Sequence, residues 1–359
     1  MSEKRNIMIA VKKHGVILEK TEIEFENSGV LNPAVYKDGN IVHMFYQAVR
    51  DGGFSCIGYC KLDGPLKVIE RSLKPKFCQK ESYEYKGVED PRITKIDDSF
   101  YLSYTASDGI NCFGAYATSK DLLKFERKGI VTPKLTFEEY ADIIQLDFDK
   151  INIAHFMFYR LFKRYKLKDL LKKKIFVWDK SVVFFPKKIQ GKLAMLHRLH
   201  PSIQILCFND PSELTKDFWK KYVSKLHKHI VLAPKYKHEN NRIGAGCPPI
   251  ETDQGWLLIY YSAQHTPKGI VHHACAALLD LEDPWKELGR LKEPLFSPTE
   301  PSEIEGNVNN MIFPTGAALF NEDLYIYYGT ADSKIAAASI NMNALLQEIK
   351  NQSKQKKLL

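Results

Sequence analysis

A chain of 359 residues that is 44% hydrophobic can bury a large core, and length by itself would suggest two or three domains. Its seven cysteines include no CxxC and no paired spacing, which excludes a disulfide framework or a cysteine zinc site. They read as reduced thiols, and with no apolar leader in "MSEKRNIMIAVKKHG" and no run of about 18 apolar residues, a soluble cytoplasmic protein without membrane association is expected. The net charge of +9 excludes a basic nucleic-acid footprint over the whole protein, because "RLFKRYKLKDLLKKK" from Arg160 to Lys174 holds eight bases against one acid and supplies +7 of it.

In chain order, one strand pattern recurs five times: "GNIVHMFYQA" from Gly39, "DSFYLSYTAS" from Asp98, "GKLAMLHRL" from Gly191, "GWLLIYYSA" from Gly255 and "EDLYIYYGTAD" from Glu322. Each copy is followed by a second strand rich in small residues: "SCIGYCKLDG", "NCFGAYATSKDL", "IQILCFNDPSEL", "HHACAALLDLEDP" and "SKIAAASINMNAL". Alternation with period two, bounded by Gly, Asp and Asn, predicts half-buried antiparallel strands. Copies begin about 60 to 70 residues apart, which leaves room for a four-stranded sheet each, and five such sheets in a ring make a β-propeller. The predicted fold is all-β, one five-bladed propeller domain over residues 1–359; an ordinary β-sandwich is the alternative. The interval between the second and third copies is longer and holds an insertion, Phe137 to Trp178. There Phe156, Tyr159, Leu161, Phe162, Leu167, Leu170 and Leu171 form a helical stripe among lysines. Packing on the same protein or in a homo-oligomer is the expected role of this basic insertion, ahead of membrane binding.

The stretch "KGVEDPRI" from Lys86 sets Glu89 beside Asp90 ahead of the second copy. Proline biases Asp90 towards extended backbone, so the two carboxylates should project to opposite sides, one of them into a central channel. A surface turn is the plain alternative, since Asp-Pro commonly starts turns. Lys180 reads equally as a solvated charge and Arg242 as the opening of a Gly-rich turn. Arg198, at the end of a strand that looks buried, would be expensive there without an anionic partner.

With its companions the stretch resembles the mannoside phosphorylases of glycoside hydrolase family 130, which are five-bladed propellers. The matching pieces are "NPA" at Asn32, "GVEDPRI" at Gly87, "FFPKKIQGKLAMLHR" ending at Arg198, "NRIGAGCPPIETDQGWLLIYY" from Asn241, "AALLDLEDP" from Ala276, "EGNVNNMIFPTG" from Glu305 and "YYGTADSKIAAA" from Tyr327. The resemblance implies exo-acting phosphorolysis of a β-mannoside with inversion, releasing α-mannose 1-phosphate, with inorganic phosphate as co-substrate and no cofactor. It implies that Asp90 is the general acid, its proton passing through the sugar's 3-hydroxyl. Lys180, Arg198, Arg242 and His272 are then the phosphate site, and Asn32, Gln47, Glu89, Tyr261, Phe313 and Asp332 the sugar contacts. Such a reaction needs no second carboxylate as base, because phosphate arrives anionic and needs cations to hold it. Gln47 replaces a common arginine, Tyr261 a histidine, His272 a tyrosine and Lys187 a glutamate, and Gln204 falls near an expected histidine. An inverting β-mannosidase and a noncatalytic sugar-binding propeller are the alternative readings. The pair His272-His273 lacks the spacing of a metal site.

Overall fold

The computed structural model describes residues 9–144 and 174–354. The helical stripe expected between Phe156 and Leu171 lies outside these residues. Of the insertion, the described part includes one short helix, Phe137–Ile143, capped by Thr136, whose hydroxyl accepts from Glu139 N at 3.2 Å.

The strands pair in chain order into five antiparallel blades. Strand β1 (Lys12–Leu18) stands apart, and blade one follows as β2 (Gly29–Asp38), β3 (Ile41–Arg50), β4 (Phe54–Asp63) and β5 (Lys67–Arg71). Blade two is β6 (Gly87–Ile96), β7 (Ser99–Ser107), β8 (Cys112–Ser119) and β9 (Glu126–Ile130). Blade three is β10 (Lys180–Phe184), β11 (Leu193–Arg198), β12 (Ile203–Phe208) and β13 (Ile230–Leu232). Blade four is β14 (Arg242–Ala245), β15 (Ile250–Thr252), β16 (Gly255–Thr266), β17 (Gly269–Leu279) and β18 (Glu287–Arg290). Blade five is β19 (Ile312–Phe320), β20 (Asp323–Thr330) and β21 (Lys334–Asn341), and β1 completes it by pairing with β21, Lys12 opposite Ser339. A last helix, Met342–Lys354, packs Leu345, Leu346 and Ile349 against the core shared by blades four and five.

The recurring patterns are therefore the middle two strands of each blade. Their burial differs from expectation: "GWLLIYYSA" is buried at every position. The cause is the ring, because each blade is covered on both faces. Leu257 and Ile259 of β16 enter the core shared with blade five, whereas Trp256, Leu258 and Tyr260 enter the core shared with blade three. Three further clusters fill the gaps between blades one and two, two and three, and five and one. Five interfaces between five blades leave no gap in the ring.

A buried clamp repeats with the blades. In four of them a glutamate in the turn before the innermost strand, Glu26, Glu84, Glu239 or Glu303, is at most 1% exposed. It accepts from the hydroxyl of Tyr46, Tyr104, Tyr260 or Tyr328 on the second strand at 2.6–2.8 Å. A cation from the outermost strand, Arg71, Arg127, Arg290 or Lys13, completes it at 2.6–3.3 Å. Blade three substitutes Asp179, whose Oδ2 lies 2.7 Å from His197 Nδ1, while His197 Nε2 lies 2.8 Å from the Tyr222 hydroxyl. Buried charges tied to several partners in this way are tolerated where isolated ones are not.

Candidate active site

Three of the five residues that follow a clamp tyrosine or histidine, Gln47, Arg198 and Tyr261, line one cavity of about 180 Å³. The innermost strands supply Asn32, Glu89, Asp90, Lys180, Arg242 and Phe313, and His272 and Asp332 complete the set. All eleven residues singled out in the sequence thus border the same space. Leu31, Ser181, Val308 and Met311 border it too and carry no signal in the repeat.

Local backbone explains how Asp90 is aimed. It is not extended: φ is +51°, in the left-handed region, and the register of β6 against β7 shifts between Glu89 and Arg92. Such a bulge re-aims a side chain that regular pleating would send away, so Glu89 and Asp90 both face the cavity instead of opposite sides. Asn32 repeats the device with φ +52° at the shift between Leu31 and Ala34, and Ser181 with φ +61° between Lys180 and Val183. Asn and Asp tolerate this conformation better than most residues. The matching sequences Gly29-Val30-Leu31-Asn32-Pro33 and Gly87-Val88-Glu89-Asp90-Pro91 are the signal that shows the first two as equivalent.

The two bulges meet. Asn32 Nδ2 donates to Asp90 Oδ1 at 2.6 Å, and Asp90 N donates to Gln47 Oε1 at 3.1 Å. Asn32 can approach because Gly329 opposite has no side chain; a Cβ there would sit 2.2 Å from Asn32 Oδ1. Arg92, fully buried, does not hold the Asp90 carboxylate. It donates to the backbone carbonyls of Asp90 and Pro91, both at 3.0 Å, and to that of Gly246. It therefore fixes the bulge and leaves the acid's remaining oxygen to the cavity.

Opposite lies a group of cations. Lys180 and Arg198 are register partners on β10 and β11, and Lys180 Nζ lies 3.5 Å from Glu89 Oε2. Both members of that pair are about a quarter exposed, so it contributes little. Asp179 Oδ1 accepts from Arg198 N at 3.0 Å, which couples the blade-three clamp to the strand end carrying the guanidinium. Arg198 Nη1 donates to the Tyr261 hydroxyl, and its buried Nε has no hydrogen-bond partner among the described residues. Arg242 Nη2 lies 3.0 Å from His272 Nε2. Burial pushes the Tyr261 phenol up, but Arg198, Arg242 and the Ser181 hydroxyl more than offset this and hold it below its ordinary value. Phe313 lies against Tyr261, ring centroids 4.4 Å apart, and with Met311 gives the cavity an apolar wall. Chemically the space offers the carboxylates of Glu89, Asp90 and Asp332, a cationic side suited to an oxyanion and an aromatic wall suited to a sugar face.

Gln204 and Lys187 lie elsewhere. Gln204 ties down Leu199 through both its backbone groups at 2.7 and 2.9 Å, and Lys187 pairs with Glu251 at 2.6 Å on the exterior. Among the described residues no three side chains group as a metal site, and no helix is long and apolar enough to cross a membrane. His273 turns away from His272 to Ser297 and Gln264.

A family model described as beta-1,4-mannooligosaccharide phosphorylase, that of glycoside hydrolase family 130, matches residues 5–351. Two relatives from Thermoanaerobacter sp. (strain X514) are similar over most of their length. A 1,2-beta-oligomannan phosphorylase is 33% identical, covering 91% of this chain and 95% of its own, and a beta-1,2-mannobiose phosphorylase is 31% identical, covering 89% and 92%. The solved beta-1,2-mannobiose phosphorylase of Listeria innocua in complex with beta-1,2-mannobiose shares the fold, with a TM-score of 0.70 at 20% identity over 96% of this chain and 100% of that one. With a match that runs through all five blades and every strand bordering the cavity, the chain belongs to glycoside hydrolase family 130.

Proposed function

We propose that the protein is an inverting β-mannoside phosphorylase that acts at the non-reducing end and releases α-mannose 1-phosphate. Asp90 is the general acid. Lys180, Arg198, Arg242 and His272 hold phosphate, and Asn32, Gln47, Glu89, Tyr261, Phe313 and Asp332 contact the sugar. A phosphate oxygen bonds to the anomeric carbon as the glycosidic C–O bond breaks on the opposite face; the leaving oxygen takes the proton of the sugar's 3-hydroxyl, which Asp90 replaces with its own. The observation that carries this reading is a bulge-aimed carboxylate sharing one small cavity with three cationic side chains. Membership of a phosphorylase family supports it, and both Thermoanaerobacter relatives are named for β-1,2 linkages, so β-1,2-mannobiose and longer β-1,2-oligomannans are the first substrates.

The test is incubation with β-1,2- and β-1,4-linked mannosides, with and without inorganic phosphate, identifying the sugar released. Mannose 1-phosphate formed only with phosphate is expected, and free mannose at equal rates in both arms would establish hydrolysis instead. Asp90→Asn should lower turnover by about 10²–10⁴-fold while mannoside still binds.

A further inference from the structure

Ile57 of β4 and Phe77, in the segment after β5, exchange both backbone hydrogen bonds, N to O at 2.8 and 3.3 Å. An antiparallel pair of this kind is flanked by closer pairs without such bonds, with Cα atoms about 4.5 Å apart. Cys56 and Cys78 occupy that flanking position. The faces agree: Ile57 and Phe77 pack between blades one and two, whereas Cys56 and Cys78 turn together to the core between blades five and one. Both thiols line a second cavity, of about 400 Å³, with Arg50, Phe54 and Leu73, and Cys78 is partly exposed. All seven cysteines are free, so the pair is reduced as described.

The structure assigns Cys56 and Cys78 as an oxidisable dithiol, a modification site separate from the sugar cavity, which closes to a disulfide on contact with a hydroperoxide. The spacing of a close antiparallel pair falls within the Cα range of about 4.4–6.8 Å that a disulfide spans. Electrostatics divide the labour. The hydrogen bond between the thiols pushes Cys56 up, as does burial, and lowers Cys78; burial opposes the lowering, while Arg127 and Arg50 add to it. The other cysteines are raised, chiefly by burial: Cys60, Cys247 and Cys275 to about 12, Cys207 to about 11, and Cys112. Cys78, the partly exposed member of the pair, is the attacking thiolate, and buried Cys56 the resolving thiol. Cys78 sulfur bonds to one peroxide oxygen as the O–O bond breaks, giving a sulfenic acid and hydroxide, which leaves as water after taking a proton. Cys56 sulfur then bonds to Cys78 sulfur, the S–O bond breaks, and the departing hydroxide takes the Cys56 proton. Two thiols and one hydrogen peroxide give one disulfide and two waters. The residue before Cys56, Ser55, donates its N–H to Lys86 O at 3.3 Å, so the dithiol sits beside the contact joining blade one to the strand that carries Asp90.

The experiment treats the native full-length protein with hydrogen peroxide, alkylates it after unfolding, and maps peptides by mass spectrometry with and without dithiothreitol. The expected result is one reducible linked peptide pairing Cys56 with Cys78, absent in Cys78→Ser, with the other five cysteines alkylated. In Cys56→Ser, a sulfenic-acid probe such as dimedone should label Cys78 ahead of those five. Full alkylation of Cys56 and Cys78 after peroxide, or a link that forms only in unfolded protein, would overturn the assignment. So would preferential dimedone labelling at another cysteine.

Discussion

Asp90 adopts a backbone conformation that most L-residues avoid, and Arg92 below it holds that conformation through three carbonyls. Strain of this kind costs about 1–3 kcal/mol and persists only where neighbours over-determine it. Arg198 is the other residue whose position decides chemistry. Its guanidinium shares the cavity with Asp90 while its backbone N–H is held by Asp179. A hydrogen bond to a charged group contributes about 1.5–3 kcal/mol. Arg198→Ala is therefore expected to raise KM for phosphate about 10- to 100-fold and to change KM for the mannoside much less, as measured by initial rates with each substrate varied. Equal effects on both would remove Arg198 from the phosphate site.

At the scale of the element, the clamp explains how a blade places its cavity residue. Glu84 has no exposed surface, accepts from Tyr104 and Arg127, and also takes the backbone N–H groups of Lys80 and Glu81 at 2.8 and 3.1 Å. Burial pushes its carboxyl up, but Arg127, Tyr104 and those N–H groups together hold it below its usual value. Removing one partner of a buried ion pair costs about 3–5 kcal/mol because the other charge is left uncompensated. Glu84→Leu should destabilise the protein by about that amount, read from the urea midpoint. Lys61→Ala, at the more exposed Lys61–Glu70 pair on neighbouring blade one, should cost under about 1 kcal/mol.

The whole molecule is held by interfaces between blades, and its acid sensitivity follows from the histidines it buries. His273 is lowered to about 4 by burial and by neighbouring His238, and His229 to about 4 by burial and by the neighbouring basic side chains of His197, His227 and Lys228. Between pH 6.5 and about 4 the unfolded chain binds protons that the folded protein does not, so stability falls as pH drops through that window. The slope contributed by His273, the more deeply set, reaches at most ~1.4 kcal/mol per pH unit. Carboxylates with lowered values, such as Glu84 and Glu287, act in the same direction but below about pH 4.5. Urea unfolding at pH 7 and pH 5 should show the loss, and His273→Gln should flatten it.

The amino-acid sequence alone determined the five-fold repeat and the middle two strands of every blade, because side-chain alternation and turn residues are local properties that short segments carry themselves. It also named eleven of the fifteen residues around the cavity, through motifs shared with a known family. The inner and outer strands were harder to see. "RIGA" and "IVL" are too short to show a period, and β1 belongs to a blade more than 300 residues further along the chain. Only the tertiary structure decided that Glu89 and Asp90 face one space, because a bulge with positive φ reverses what alternation predicts. It alone revealed the glutamate clamps, whose members come from a turn and two separate strands. Partners distant in sequence leave no local pattern, and they meet only when the strands of a blade pair.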